Sequence, residues 1–293
     1  MANVGKSVHE NVPGEFFVDS TCIDCDACRQ IAPAVFAEGP GHSFVHRQPE
    51  APTDRRDAVH ALLSCPTGSI GCQGTVDVKG TAADFPLTVE EPVSYCGYNS
   101  PKSYGGNSYF VRHPAGNWLI DSPKFVAPLV KRLEACGGIA RIFLTHRDDV
   151  ADAARFAAHF RAQRIIHREE LASQPDAEMI LDGNDPIELA NDFLAIPTPG
   201  HTRGHCVLLY QDRFLFTGDH LAWDRDGREL EAFYDYCWYS WDKQIESMAR
   251  LAARQFEWVL PGHGQRVHLP ADEMSRQMHS LVERMHGASA ATS

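Results

Sequence analysis

T-P-G-H-T-R-G-H, Thr198 to His205, follows the apolar run F-L-A-I-P at 193–197, which reads as a strand. The Pro-Gly turn then delivers His201 just beyond the end of that strand. Three more potential ligands stand in the same way: His146 after I-F-L-T, Asp219 after F-T-G and His263 after V-L-P-G. Side chains placed immediately after strands converge at one edge of a sheet. Taken singly, a histidine there is ordinarily a loop or core residue, and an aspartate after glycine ordinarily forms a turn. Four such placements in one chain point instead to a metal site. Imidazoles and carboxylates together suit zinc, iron or manganese, and the flanking glycines let loop backbones come close.

Around these motifs, short strands alternate with amphipathic helices. Ser108–His113 and Asn117–Asp121 alternate across the turn P-A-G, which predicts a hairpin. Phe125, Val126, Leu129, Val130 and Leu133 fall at helical spacing, and Gly137-Gly138 ends that helix. A strand is expected over Ile139–Thr145 and a helix over Val150–Phe160. Further strands fit Arg164–His167, Phe193–Pro197, Cys206–Tyr210, Arg213–Thr217 and Trp258–Leu260. The last residues, G-A-S-A-A-T-S at 287–293, read as disordered.

A different chemistry is written near the start. Cys22, Cys25 and Cys28 place three thiols within seven residues, and Cys65, followed by Pro66, supplies a distant fourth. Three close thiolates can wrap one side of an inorganic cube while the fourth closes it from another segment. A four-cysteine zinc site would more naturally use two separated C-x2-C pairs. Disulfides fit less well, because Met1–Gly14 is polar and lacks the apolar core of a signal peptide. The expected setting is therefore reducing and cytoplasmic. Cys72, Cys96, Cys136, Cys206 and Cys237 are dispersed and read as structural thiols, with Cys72 and Cys96 the two to watch. Between the cysteine-rich segment and the hairpin, Gly74–Pro92 is polar with glycines and prolines, which predicts a surface linker.

Composition narrows the field. At 293 residues the chain can bury two modest cores, and no apolar run approaches a membrane span. With 39 acidic and 27 basic residues the net charge is -12, so nucleic acid and anionic membrane surfaces are not the expected partners.

The segment from about Gly14 to Cys72 resembles a small bacterial ferredoxin with a single cluster, through F-F-V-D-S-T-C-I-D-C-D-A-C-R-Q-I-A-P-A-V-F at 16–36 and C-P-T-G-S-I at 65–70. That resemblance implies a [4Fe-4S] cluster held by Cys22, Cys25, Cys28 and Cys65. Residues 93 to about 270 resemble the metallo-β-lactamase superfamily, through L-T-H-R-D-D at 144–149, T-P-G-H-T-R-G-H at 198–205, F-T-G-D-H at 216–220 and L-P-G-H-G at 260–264. The expected architecture is an α+β ferredoxin-like module over 14–74, a linker over 75–92 and an αββα metallo-β-lactamase sandwich over 93–286, with metal at one edge of the sandwich.

One motif departs from the superfamily pattern. H-x-H-x-D-H would place histidine at 148, aspartate at 150 and histidine at 151, where this chain has Asp148, Val150 and Ala151. A register shifted to Asp152 still lacks the final histidine, which Ala153 replaces. The expected metal set is His146, Asp148, His201, Asp219 and His263, for one or two divalent ions. Asp149 and Asp152 remain open as further ligands, since acidic residues at a helix start also serve the helix dipole. His205 and His220 are candidates for supporting hydrogen bonds, and His159 and His167 read as structural.

Two imidazoles, carboxylates and open positions favour iron over zinc or manganese. Redox iron is known in this superfamily from flavodiiron proteins and persulfide dioxygenases. The expected function is redox or oxygen-dependent chemistry at non-haem iron, on a small-molecule substrate, with electrons from the [4Fe-4S] cluster and an external donor behind it. The alternatives are a zinc-type hydrolase with a structural or sensing cluster, and a non-catalytic electron-transfer or sensor protein. The aromatic run F-Y-D-Y-C-W-Y-S-W at 233–241, with Lys102, suits either a planar or anionic substrate or packing between modules.

Overall fold

The computed structural model describes residues 2–291, which divide into two compact units: the chain up to Arg141 together with Ala151–Ala162, and Ile142–Val150 together with the chain from Gln163 onward. Among the described residues, no helix is long and apolar enough to cross a membrane.

The first unit begins with the cysteine-rich segment. Strand β1 (Phe16–Val18) is buried throughout, and the order α1 (Ala27–Ile31), β2 (Phe36–Gly39), β3 (His42–Val45), α2 (Pro52–Ser64), β4 (Ile70–Cys72) returns the chain antiparallel against β1. Helix α2 starts on Pro52, whose missing N–H costs nothing in a first turn, and buries Ala58, Val59 and Ala61. Those side chains meet Phe16, Val18, Val35, Phe36, Val45 and Ile70 in one small core. Cys65 caps α2, its N–H donating to Ala61 O, so the fourth thiol stands at a rigid helix end.

Residues 75–92, expected as a linker, carry regular structure. Helix α3 (Val78–Ala82) and strand β5 (Leu87–Glu90) fall within them, and Phe85 is fully buried. The polar composition misleads here because Asp77 caps α3 and Asp84 takes a bidentate ion pair from Arg56 and a hydrogen bond from His60. Strands β6 (Val93–Tyr95), β7 (Tyr109–Val111) and β8 (Trp118–Ile120) continue from β5 as an antiparallel meander, with the expected hairpin at β7–β8. Helix α4 (Ala127–Ala135) starts two residues later than its apolar spacing suggests, with Val126 extended as its N-cap and Pro128 in its first turn, where the missing N–H costs nothing. Helix α5 (Ala153–Phe160) likewise starts late; Ala151 and Asp152 form the turn leading to it.

In the second unit, β9 (Arg141–Phe143) straddles the boundary and leads into the H-R-D-D loop, and β10 (Gln163–His167) pairs in parallel with β11 (Met179–Leu181). A six-stranded sheet then follows. Strands β12 (Ile187–Ala190), β13 (Phe193–Pro197), β14 (Cys206–Tyr210) and β15 (Phe214–Gly218) run antiparallel. After the small hairpin β16 (Ala222–Asp224) and β17 (Glu229–Glu231) and helix α6 (Trp241–Leu251), β18 (Trp258–Pro261) joins β15 in parallel and β19 (Val267–His268) ends the sheet. Both β14 and β15 are buried along their whole length. Helix α7 (Ala271–Ala291) and α6 close one side through Ile245, Met248, Leu251, Met274, Met278 and Leu281. The expected terminal disorder gives way to helix as far as Ala291, while Thr292 and Ser293 lie outside the described residues.

Candidate metal centres

In the first unit the four thiols of Cys22, Cys25, Cys28 and Cys65 line one cavity together with Val18, Ile23, Ala27, Pro66 and Ile70. The loop that carries three of them turns on Asp24 and Asp26, both left-handed at φ 58 and 64, a conformation that aspartate tolerates better than most residues. Arg29 holds that turn: its guanidinium donates to Asp24 at 2.6 Å, to Asp26 at 2.6 Å and to Ser43 Oγ at 2.8 Å. The Ser43 N–H points at Cys22 Sγ and the Ser69 N–H at Cys65 Sγ, the donors a charged cluster sulfur needs. Burial pushes the Cys25 thiol up to about 12, and Cys28 higher still, so only a bound cation would keep them ionised. Among the described residues no three of these sulfurs lie within 4.8 Å of one another. A single tetrahedral zinc would bring them to about 3.8 Å. The donor chemistry and the spread of the thiols fit a polynuclear cluster.

The second unit gathers the strand-end residues. His146 Nε2 lies 3.5 Å from Asp219 Oδ2 and 3.8 Å from Asp148 Oδ2, while His201 Nε2 lies 3.8 Å from Asp219 Oδ2 and 4.0 Å from Asp148 Oδ2. Such gaps are too long for good hydrogen bonds. They are a little wider than the edges, about 3.4 Å, of a polyhedron whose ligands stand about 2.1 Å from a metal. Asp219 turns its other oxygen to His263 Nδ1 at 2.8 Å, so one carboxylate faces two groups of donors. All five predicted residues thus come together.

Asp149, left open by the sequence, belongs with them. His146, Asp149 and Asp219 present ligand atoms within 4.8 Å of one another, as do His146, Asp148 and His201. Asp149 is buried, and neither of its carboxylate oxygens has a hydrogen-bond partner. Leaving such a group bare is costly unless a cation occupies the space in front of it. Burial, with the Asp219 charge beside it, pushes its carboxyl up to about 7. Burial acts on Asp219 as well, but His263 and His146 outweigh it and hold that carboxyl well below the usual range. Gly262 makes the approach possible: a Cβ there would lie 2.4 Å from Asp149 Oδ2 and 2.8 Å from Asp219 Oδ1.

Asp152, the other open candidate, is engaged elsewhere, with Oδ1 accepting from Lys102 Nζ at 2.8 Å and Oδ2 from the Phe125 N–H at 2.9 Å. The same ion pair takes up Lys102, which the sequence offers as an anion receptor.

Three of the imidazoles, those of His201, His205 and His220, are pushed toward the neutral form that metal ligation requires. Burial, then His146, lowers His201 to about 4; burial, then His201, lowers His220 to about 3; and burial, then His220, puts His205 well below its ordinary value. His205 Nδ1 meets Thr198 Oγ1 at 2.9 Å, and the ring lies between His146, at 5.1 Å, and His220, at 4.9 Å. Thr145 Oγ1 meets His146 Nδ1 at 3.0 Å. His159 pairs with Glu134 on the surface, and His167 meets the Glu169 N–H and Gly183 O, the structural roles expected of both.

Sequence reasoning missed Glu170, a buried carboxylate whose Oε1 accepts from the Gly204 N–H at 2.6 Å and so fixes the loop between His201 and His205. No local pattern marks it. The aromatic run rides on the same loop: the Trp238 and Tyr239 N–H groups donate to His201 O, and the Ser240 N–H to Gly200 O. Tyr234, Tyr236 and Trp238 are each more than half exposed, and the Trp238 ring stands 6.3 Å from that of His201.

These arrangements give the protein a pocket lined by four thiols and a carboxylate-rich candidate metal site. The model of the metallo-beta-lactamase superfamily matches residues 103–263, more than half of the chain, and the chain belongs to that superfamily. Residues 18–72 match the 4Fe-4S single cluster domain of Ferredoxin I. Among curated proteins, a lactamase-like protein of Pestalotiopsis microspora is 28% identical over 191 residues, covering 61% of this chain and 56% of its own. A hydroxyacylglutathione hydrolase of Salmonella arizonae is 29% identical over 137 residues, covering 45% and 54%. The chain spans about half the length of the curated relatives it matches. Two solved structures, a metallo-beta-lactamase family protein of Thermus thermophilus and a beta-lactamase domain protein of Burkholderia ambifaria, each superpose with a TM-score of 0.50. They are 16% and 15% identical, and each match covers 70% of this chain, with 81% and 73% of theirs. At such identity the likeness shows the metallo-β-lactamase fold alone.

Proposed function

We propose that the chain is a metalloenzyme that carries out redox or oxygen-dependent chemistry on a small molecule at a two-metal iron site, with electrons supplied through a [4Fe-4S] cluster on Cys22, Cys25, Cys28 and Cys65. The observation that carries this reading is the bare, buried carboxylate of Asp149. It adds an oxygen donor beside a motif that lacks the histidines of the superfamily pattern at 148 and 151. One position would be held by His146, His201 and Asp148 and the other by Asp149 and His263, with Asp219 in reach of both groups. Three carboxylates against three imidazoles suit iron or manganese better than zinc. When bound, the metal supplies an electrophilic, redox-active centre with positions open to substrate. The chain's own residues set its surroundings: Thr145 and Thr198 fix the imidazoles of His146 and His205, Glu170 fixes the His201 loop, and Trp238 offers a flat wall beside His201. A donor protein or small reductant would reload the cluster from outside.

The hydrolase reading keeps support from one observation, the likeness to hydroxyacylglutathione hydrolases. There the cluster would be structural or sensing. Metal analysis of anaerobically purified protein separates the two. Iron in excess of the four atoms of the cluster, lost in a His201→Ala variant, supports the redox reading. Zinc in that place, with turnover of a thioester substrate by the oxidised protein, overturns it.

A further inference from the structure

Residues 98–124, beyond the cysteine-rich segment, pack against the segments that carry Cys25 and Cys65. The Asn99 N–H donates to Ser64 O at 3.1 Å, next to the fourth thiol. Asn99 Nδ2 donates to Gly105 O at 2.6 Å while its Oδ1 accepts from Tyr95 Oη at 2.6 Å, a fully buried network that fixes the loop. Gly105 then lies so close to Cys25 that a Cβ would come within 2.9 Å of its sulfur. From the same wall the Lys124 ammonium donates to Pro66 O at 2.7 Å and to Cys65 O at 3.3 Å. Its own N–H is tied to Tyr98 O, so the side chain starts from a fixed backbone. The charges here are unequal. Arg29, the other cation beside the thiols, is offset by Asp24 and Asp26. Lys124 donates to carbonyls and, among the described residues, to no carboxylate.

We propose that Lys124 sets the reduction potential of the cluster: its uncompensated charge, held on the backbone of the fourth ligand, stabilises the reduced state over the oxidised one. This rests on the reading of Cys22, Cys25, Cys28 and Cys65 as cluster ligands. A cube with a 2+ core and four thiolates carries net charge 2−, and taking up one electron makes it 3−. A nearby cation favours the more negative state, and partial burial keeps water from screening it. Among the described residues, no carboxylate pairs with it.

The test is a redox titration of the full-length, cluster-loaded protein with dithionite as electron donor, followed by the EPR signal of the reduced cluster, for wild type and Lys124→Arg, Lys124→Gln and Lys124→Met. Arginine keeps the charge and should titrate with wild type. Glutamine and methionine should lower the reduced-to-oxidised ratio at fixed potential about tenfold, a shift of about 59 mV for one electron. Equal potentials in all four proteins overturn the proposal, as does an arginine shift equal to that of glutamine, which would mark packing as the cause. If the uncharged variants load no cluster while arginine does, Lys124 serves assembly and the proposal also fails. Absence of any cluster from wild type would instead sink the ligand reading beneath it.

Discussion

Gly262→Ala should empty the proposed two-metal site while leaving the fold intact. Gly262 does not occupy the left-handed region, so alanine meets no backbone obstacle and only space is at issue. The new methyl would stand 2.4 Å from Asp149 Oδ2 and 2.8 Å from Asp219 Oδ1, where ordinary contact begins at 3.4 Å. One carboxylate must therefore retreat by about 1.0 Å and the other by about 0.6 Å, against a tolerance of about 0.2 Å in metal–ligand distance. Both belong to the position that also uses His263, so the loss should fall there first. Displaced supporting groups alone cost about 10-fold to 100-fold in metal affinity, or about 1.4–2.8 kcal/mol, and displaced ligands should cost at least as much. Competition against a chromophoric chelator measures the affinity, elemental analysis counts metal beyond the cluster, and thermal melting of chelated protein checks the fold. A variant that keeps its metal count with affinity within about threefold of wild type refutes the placement of Asp149 and Asp219 around one ion.

Asp149→Asn carries a pH signature. A carboxyl raised from 3.8 to about 7 holds its proton in the folded protein after the unfolded chain has released it, so this group's contribution to stability falls as pH rises from about 4 to 7. Melting of metal-free protein should show Asn gaining on wild type across that window, and parallel profiles would contradict the burial argument. Gly105→Ala, with φ +92 and Cys25 Cβ 2.5 Å from the new methyl, should lose most of its cluster, read from iron and sulfide content; full loading would show that the wall yields. Asp152→Asn should cost about 1.5–3 kcal/mol in urea unfolding, because it removes a charge-assisted bond to Lys102 and weakens the bond from Phe125. Burial opposes its charge, but the Lys102 and Phe125 donors prevail and hold Asp152 below 3.8, so that contribution is present at neutral pH and should vanish as pH falls below the ordinary value. A cost that persists unchanged at low pH would assign the effect to packing.

What could be read in advance followed from how local each signal is. Strands β13 and β14 appear with the bounds their apolar runs suggest, and the residues after β13, β15 and β18 converge because strand ends fix direction. The four thiols share a pocket for a similarly local reason: three lie on one turn and the fourth caps a helix. Tertiary contacts were not legible. Asp149 and Asp152 look alike in R-D-D-V-A-D, yet one is sealed bare beside His146 and the other is claimed by Lys102, 50 residues away. Gly74–Pro92 reads as a linker because Phe85 is one buried ring among polar neighbours, and nothing local announces that it is covered. Glu170 was invisible because its partner is a backbone N–H 34 residues away.

The wall made by Asn99, Gly105 and Lys124 bears on how such a chain could have been assembled. Part of that wall lies within 103–263, the stretch matched by the metallo-beta-lactamase model, while the thiols it covers lie within 18–72. A simple fusion, in which a ready-made electron carrier is spliced to a ready-made catalyst, would leave each with a complete surface of its own. Here the carrier borrows a side. Exchanging the downstream segment for that of another superfamily member would remove the contacts that Asn99, Gly105 and Lys124 make with Ser64, Cys25 and Pro66, so residues 98–124 answer to two inheritances at once.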